Sequence, residues 1–293
     1  MTMDQVINIL VMITLVELMV AIGLGVTLVD VIRVARNPRL VVQAALANYV
    51  CVPAAAVGLL LLFRAEPMVA AGFLIAAVCP GAPYGPPFTA MAKGNMAVSV
   101  GLMVVLAGSS ALVAPPLLDF LLPLTSGNDS LNIHAARMVV TLLVTQLFPL
   151  CIGLTVRQWR PNLAARLLKP ANLLSMVLNV SVIGLVFVVH FQTLTAIRPR
   201  GFAGMLALVL AALAAGWLLG TAGSANRKAM AITTSVRNVG VSLVIATSSF
   251  PGTPAVTATL AFALFQTVVM AIIALGFARL APAAPFHPER ENA

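Results

Sequence analysis

The chain has 293 residues, 61% of them hydrophobic and only 9% charged, with a mean hydropathy of +1.05 and a formal net charge of +9. An average soluble domain carries about 25% charged residues, so this composition excludes a water-soluble globule. The positive balance then reads as basic loops on one side of a membrane rather than a nucleic-acid surface, and Cys51, Cys79 and Cys151, all in apolar stretches, give neither a disulfide framework nor a metal spacing.

A membrane span needs about 20 apolar residues. Nine stretches reach that length, roughly 5–33, 40–63, 66–92, 95–122, 134–158, 163–191, 200–221, 225–249 and 252–280. The first opens MTMDQVINILVM, without the basic flank of a cleaved signal, and is expected to be a permanent helix. It carries Glu17 near its middle. The second holds Asn48 shortly before Pro53. The third is broken: from Ala77 to Gly94 it reads AVCPGAPYGPPFTAMAKG, with four prolines and three glycines. Backbone groups freed by such a break have no water inside a bilayer, so they must be buried in protein or line a polar cavity. In secondary transporters that cavity is the substrate site. The fourth stretch brings Ser99, and Leu124 to His134 is the longest polar connection, placed to join two halves. Gln146 and Asn179 follow on the fifth and sixth. The eighth is the second broken span, AITTSVRNVGVSLVIATSSFPG, in which Thr233 and Thr234 stand beside Arg237, Asn238 and Gly240. Gln266 lies on the ninth, and 281–293 is a Pro-rich polar tail expected to be disordered.

With the N-terminus outside, the cytoplasmic connections hold twelve Lys and Arg and the outer ones four (Arg64, Arg137, Arg198, Arg200). That is a positive-inside bias, and an odd span count puts the C-terminus in the cytoplasm of an inner (plasma) membrane protein. The pattern also repeats. Gly94-Asn-Met-Ala-Val-Ser99 follows the first break and Gly252-Thr-Pro-Ala-Val-Thr257 the second, while Pro38-Arg39 and Pro199-Arg200 open the spans before each. A first repeat over 1–123 and a second over 134–280 therefore run in opposite senses, as inverted repeats with one broken helix each.

Arg237 lies about ten residues beyond Arg227 and Lys228, which at 1.5 Å per residue is about 15 Å and close to the bilayer midplane. A charge at that depth is expected to serve function or to form a structural ion pair or hydrogen-bonded plug. Glu17, also near midplane, is the natural counter-charge, and burial could instead make it a proton carrier. Single polar residues on the other spans serve equally well as helix–helix contacts. The 13 methionines read as packing, and His134, His190 and His287 receive no role. No phosphate loop or nucleophile–base pair is present, so an enzyme is not expected.

The stretches Gly23–Leu28 (GLGVTL), Asn37–Pro53 (NPRLVVQAALANYVCVP), Cys79–Val100 and Ser235–Ala246 (SVRNVGVSLVIA) resemble the bile acid:sodium symporter family, in a bacterial branch marked by Arg-Asn in the second break. The resemblance implies an all-α membrane protein with two discontinuous helices crossing in a core domain, beside a panel domain. Nine spans correspond to the version that lacks the first helix. It also implies departures. Sodium-coupled members have Ser-Asn where this chain has Gly85-Pro86, a Glu where it has Thr233, a Gln where it has Arg237, and a Thr where it has Met103. Asn48 takes the place of a Gln, and Ser99 and Asn238 remain.

The expected substrate and ion site is therefore Arg237, Asn238, Thr233, Thr234, Asn48, Ser99, Thr89, Gly85, Pro86, Pro87 and Gln266, with Glu17 as counter-charge or proton carrier. No metal or cofactor is expected, and the coupling ion is sodium, a proton or none. The expected partners are a small organic anion and the bilayer. Two other readings stand beside this carrier: a membrane sensor or scaffold that retained the fold, and an arsenite-type oxyanion exporter, kept open by Cys79 at the first break.

Overall fold

The structure is a computed structural model and describes residues 3–126, 133–189, 191–195 and 197–279. The tail and His287 lie outside the described residues, as do His190 and most of the connection expected to join the halves. The described chain is all helical. Eight of its helices are long and apolar enough to cross a membrane. The remaining expected span, the third (66–92), is divided into two short helices, α5 (Pro67–Val78) and α6 (Gly85–Met91). Large apolar side chains such as Ile13, Leu62, Val144, Phe148, Met176, Leu218 and Ile272 face outward, a surface that suits lipid rather than water.

The expected first span, 5–33, is instead two helices, α1 (Met3–Gly25) and α2 (Leu28–Ala35). Thr27, in an extended conformation, caps α2 by accepting the Asp30 amide at 3.3 Å, and its hydroxyl donates to the Asp30 carboxylate. Asp30 also sits in the first turn, where the helix dipole favours an acid, so a new start outcompetes continuation. The chain then re-enters through α3 (Pro38–Leu46), a wide π-turn (Ala47–Cys51) and α4 (Val52–Leu62). A second π-turn, Leu143–Leu147, joins α8 (Ala135–Leu142) to α9 (Phe148–Trp159). Each π-turn runs into a proline, Pro53 or Pro149. A proline ring collides with the carbonyl four residues earlier and offers it no N–H, and widening the helix there relieves the clash.

Helix α7 (Met96–Ser126) packs against α2, α5 and α6. After α9 come α10 (Pro161–Val189), α11 (Phe191–Thr195) and α12 (Pro199–Leu219). Next are α13 (Ser224–Ser235), α14 (Val239–Ser249) and α15 (Pro254–Arg279). Several seams close through glycine. A Cβ on Gly23 would fall 2.5 Å from the Leu150 carbonyl oxygen, and one on Gly153 would fall 2.4 Å from that of Val20. One on Gly72 would fall 2.4 Å from that of Ala255, and one on Gly216 would fall 2.6 Å from the Ala231 Cα. Lipid-embedded helices have little hydrophobic reason to associate, so this close backbone approach, with its dense van der Waals contact, holds them together.

The segment from α13 through α14 is the most buried of the eight long apolar spans, with Lys228–Asn238 and Val241–Thr247 all buried. It meets the α5–α6 break head on. Gly81, at φ +80°, turns the chain so tightly against α7 that a Cβ would lie 2.3 Å from the Ala107 amide nitrogen. The Asn238 amide donates to the Cys79 carbonyl at 2.8 Å, and its side-chain nitrogen to that of Gly81 at 3.2 Å. The two interrupted helices thus cross at their breaks, and each satisfies backbone groups freed in the other.

Candidate functional site

At the crossing, α5 and α13 both arrive with their C-terminal ends, and their last carbonyls lack intrahelical donors. Arg237, in the three-residue break after α13, supplies them. Its Nη2 donates to the Ala77 carbonyl at 2.6 Å and its Nε to that of Ala76 at 3.3 Å, both at the end of α5. Its Nη1 donates to the Thr234 carbonyl at 2.9 Å, at the end of α13, and to Asn48 Oδ1 at 2.7 Å. The guanidinium is 2% exposed. No carboxylate contacts it among the described residues. Each helix C-terminus carries a partial charge of about −0.5, so two of them offset one guanidinium.

Asn48 is held for this contact. Its Nδ2 donates to Ala44 O at 2.9 Å and to Thr234 Oγ1 at 3.3 Å, which leaves its oxygen facing Arg237. The π-turn that contains Asn48 gives this part of the second span its local register. Gln266 fixes the backbone of the break. Its Oε1 accepts the Arg237 amide at 3.0 Å and its Nε2 donates to the Arg237 carbonyl at 3.1 Å. Asn238 caps α14 by accepting the Val241 amide at 3.2 Å. One turn away lies a chain of buried hydroxyls. Thr89 and Ser99 are 2.9 Å apart, Ser99 and Thr233 3.1 Å, and the Thr89 hydroxyl donates to the Gly85 carbonyl at 3.0 Å. This chain stitches α6, α7 and α13 together. Gly85 and Pro86 are buried at the start of α6.

Ten of the eleven residues expected at the site therefore gather around the crossing; Pro87 is turned outward and exposed. Glu17 does not pair with Arg237. Its Oε2 accepts the Ser175 hydroxyl at 2.5 Å, tying α1 to α10, and the counter-charge expected from it comes instead from helix ends. Lys228, read from the sequence as part of a cytoplasmic loop, is a buried residue of α13. Its Nζ donates to the Ala92 carbonyl at 3.0 Å and to that of Phe277 at 3.1 Å, near the C-termini of α6 and α15. Both inward cations on this segment thus neutralise helix C-termini. Tyr49 was also missed: its hydroxyl lies 2.7 Å from Ser109 Oγ and links the π-turn to α7.

A model of the sodium bile acid symporter family matches residues 12–214. A protein of Bacillus subtilis described as an uncharacterized sodium-dependent transporter, YocS, is 28% identical over 239 residues, covering 78% of this chain and 71% of its own. A rice protein described as a probable sodium/metabolite cotransporter, BASS2, chloroplastic, is 28% identical over 162 residues, which is 55% of this chain but 38% of the rice protein. The family match ends before α13, so Arg237 lies beyond it. With well over half of its length matched, and with a multi-pass helical fold built on two interrupted helices, the chain belongs to the sodium bile acid symporter family of membrane transporters.

Proposed function

We propose that the chain is a secondary transporter that carries a small organic anion by alternating access around the crossed breaks, and that Arg237 replaces a bound sodium ion. The observation that carries this reading is the set of guanidinium bonds to Asn48 and to the ends of α5 and α13. Converging carbonyl and amide oxygens of this kind are ligands that a hard cation would use. A sodium ion brought to about 4 Å from the guanidinium would meet repulsion of about 4 kcal/mol at an effective dielectric of about 20. Thr233 stands where the family resemblance implies a carboxylate in sodium-coupled members, and its hydroxyl is already engaged with Ser99. The names of the relatives assign sodium to those proteins; in this chain the cation belongs to the polypeptide.

The reading of the substrate as an anion is supported by the fixed charge at the crossing, Arg237, which is positive and buried. A planar guanidinium suits a carboxylate or sulfonate. With the N-terminus outside, the chain resides in the plasma membrane. The test is uptake of a panel of labelled carboxylates and sulfonates by purified protein in liposomes, with sodium or choline as the external cation. Flux that is unchanged by sodium and abolished by Arg237→Ala is expected. Saturable dependence on a sodium gradient would refute the substitution.

A further inference from the structure

A cavity of about 490 Å³ opens far from the crossing, at the opposite end of α5. Its charged rim, at Arg64 and Glu66, stands a full α5 helix of twelve residues from the crossing, which at 1.5 Å per residue is about 18 Å, while its apolar wall reaches inward to Phe73. The volume falls within the range of about 300–1,000 Å³ typical of small-molecule sites. Phe63, Phe73, Leu60, Met205, Leu208 and Ala261 contribute apolar walls, and Arg64, Arg198, Arg200 and Glu66 contribute the charges. The charged lining sums to +2. Among the described residues no side chain pairs with any of the three guanidiniums, and Glu66 bridges to none of them. Two helices also begin here, α5 after Glu66 and α12 after Arg198, so the positive ends of their dipoles face the same space.

Two further facts set these arginines apart. Of the four Lys or Arg that the positive-inside pattern assigns to the outer side, Arg64, Arg137, Arg198 and Arg200, three line this one cavity. Arg64 also sits at φ +48°, just past the C-terminus of α4. The Ala65 amide closes back on the Leu60 carbonyl at 3.0 Å there, a helix ending in which glycine is usual. A non-glycine residue in that conformation costs about 1 kcal/mol. The chain accepts that strain and places a guanidinium on the rim of the cavity.

We propose that this cavity is a binding site for an amphipathic anion, with the charged head among Arg64, Arg198 and Arg200 and the apolar body against Phe63, Phe73 and Met205. Such a ligand comes either from the surrounding leaflet, as an acidic lipid, or from water, as a free amphiphile. The site is separate from the crossing and is tested without transport. Protein in neutral-lipid nanodiscs is labelled with a diazirine analogue of dodecanoate, and the adducts are mapped by mass spectrometry. Labelling is expected within 59–73 and 197–208. It should fall at least about tenfold, equivalent to about 1.4 kcal/mol, in the triple variant Arg64→Gly, Arg198→Ala, Arg200→Ala. Arg64→Gly relieves the backbone and the other two positions are exposed, so a melting curve like that of the wild type is expected for the variant. Replacing all three by Lys should restore labelling. Competition by phosphatidylglycerol in the disc assigns the site to leaflet lipid, and competition by soluble octyl sulfate assigns it to a free amphiphile. Equal labelling of the triple variant, equal labelling by a neutral dodecanol analogue, or no competition by either anion would overturn the proposal.

Discussion

Replacing Arg237 with alanine removes the donors that hold the crossing together. Four buried acceptors lose their partner: the carbonyls of Ala76, Ala77 and Thr234, and Asn48 Oδ1. The bonds to Ala77 at 2.6 Å and Asn48 at 2.7 Å are the short ones, and the 3.3 Å contact with Ala76 adds least. Hydrogen bonds to a charged group contribute about 1.5–3 kcal/mol each, so the two short ones alone amount to about 3–6 kcal/mol on the same basis. Water entering the vacated space returns part of this, and removing one side of a buried charge contact costs about 3–5 kcal/mol in general. A loss in that range is expected in an unfolding titration in mixed micelles. A loss under about 1 kcal/mol, ordinary for a surface substitution, would show that the guanidinium does not hold the helix ends. The same titration tests the replacement of sodium. Arg237→Gln removes the charge and leaves an oxygen ligand, so sodium should stabilise this variant relative to choline, by about 2.7 kcal/mol if present at a hundred times its dissociation constant. The wild type should not respond. Equal stabilisation of both by sodium would refute the idea that the site is already filled.

Gln266→Leu strands the Arg237 amide and carbonyl together, and a loss of about 2–4 kcal/mol by the same titration is expected; an unchanged midpoint would remove Gln266 from the site. Gly72→Ala drives a Cβ to 2.4 Å from the Ala255 carbonyl and 2.8 Å from the Ala258 Cβ, so α15 must shift at a cost of about 1–3 kcal/mol. Gly58→Ala on α4 meets nothing within 4 Å and should stabilise by about 0.5–1 kcal/mol in thermal melts, through helix propensity alone. Glu17 and Arg237 share no partner, so Glu17→Gln and Arg237→Ala should add in the double variant to within about 0.5 kcal/mol; a larger interaction energy would show that they couple.

The two breaks were legible because proline and glycine act locally, through missing donors and turned backbone. Arg237 was legible because a charge at that depth stands out in an apolar span. What Arg237 touches was not, because the carbonyls of Ala76 and Ala77 lie some 160 residues away and leave no side-chain signature. The same holds for Glu17. Its acidity was visible, but Ser175, 158 residues further on, was one serine among many. Lys228 looked like a loop residue because its neighbour Arg227 is a second cation, whereas the carbonyls of Ala92 and Phe277 draw it inward. The division of the first span was readable in principle from Gly25, Thr27 and Asp30. A capping pair inside an apolar run is easily passed over when hydropathy alone sets the boundaries.

A charge tethered through a side chain cannot be handed over on the far side of the bilayer. If Arg237 performs the task of a sodium ion and no proton is coupled in its place, the carrier dissipates no ion gradient and has no external battery. Its cargo then equilibrates under its own electrochemical potential. The membrane voltage acts with about 2.3 kcal/mol per elementary charge per 100 mV, so at an interior-negative 100 mV a monoanion would settle more than about tenfold lower inside than outside. A transporter wired in this way tends toward release or exchange rather than accumulation.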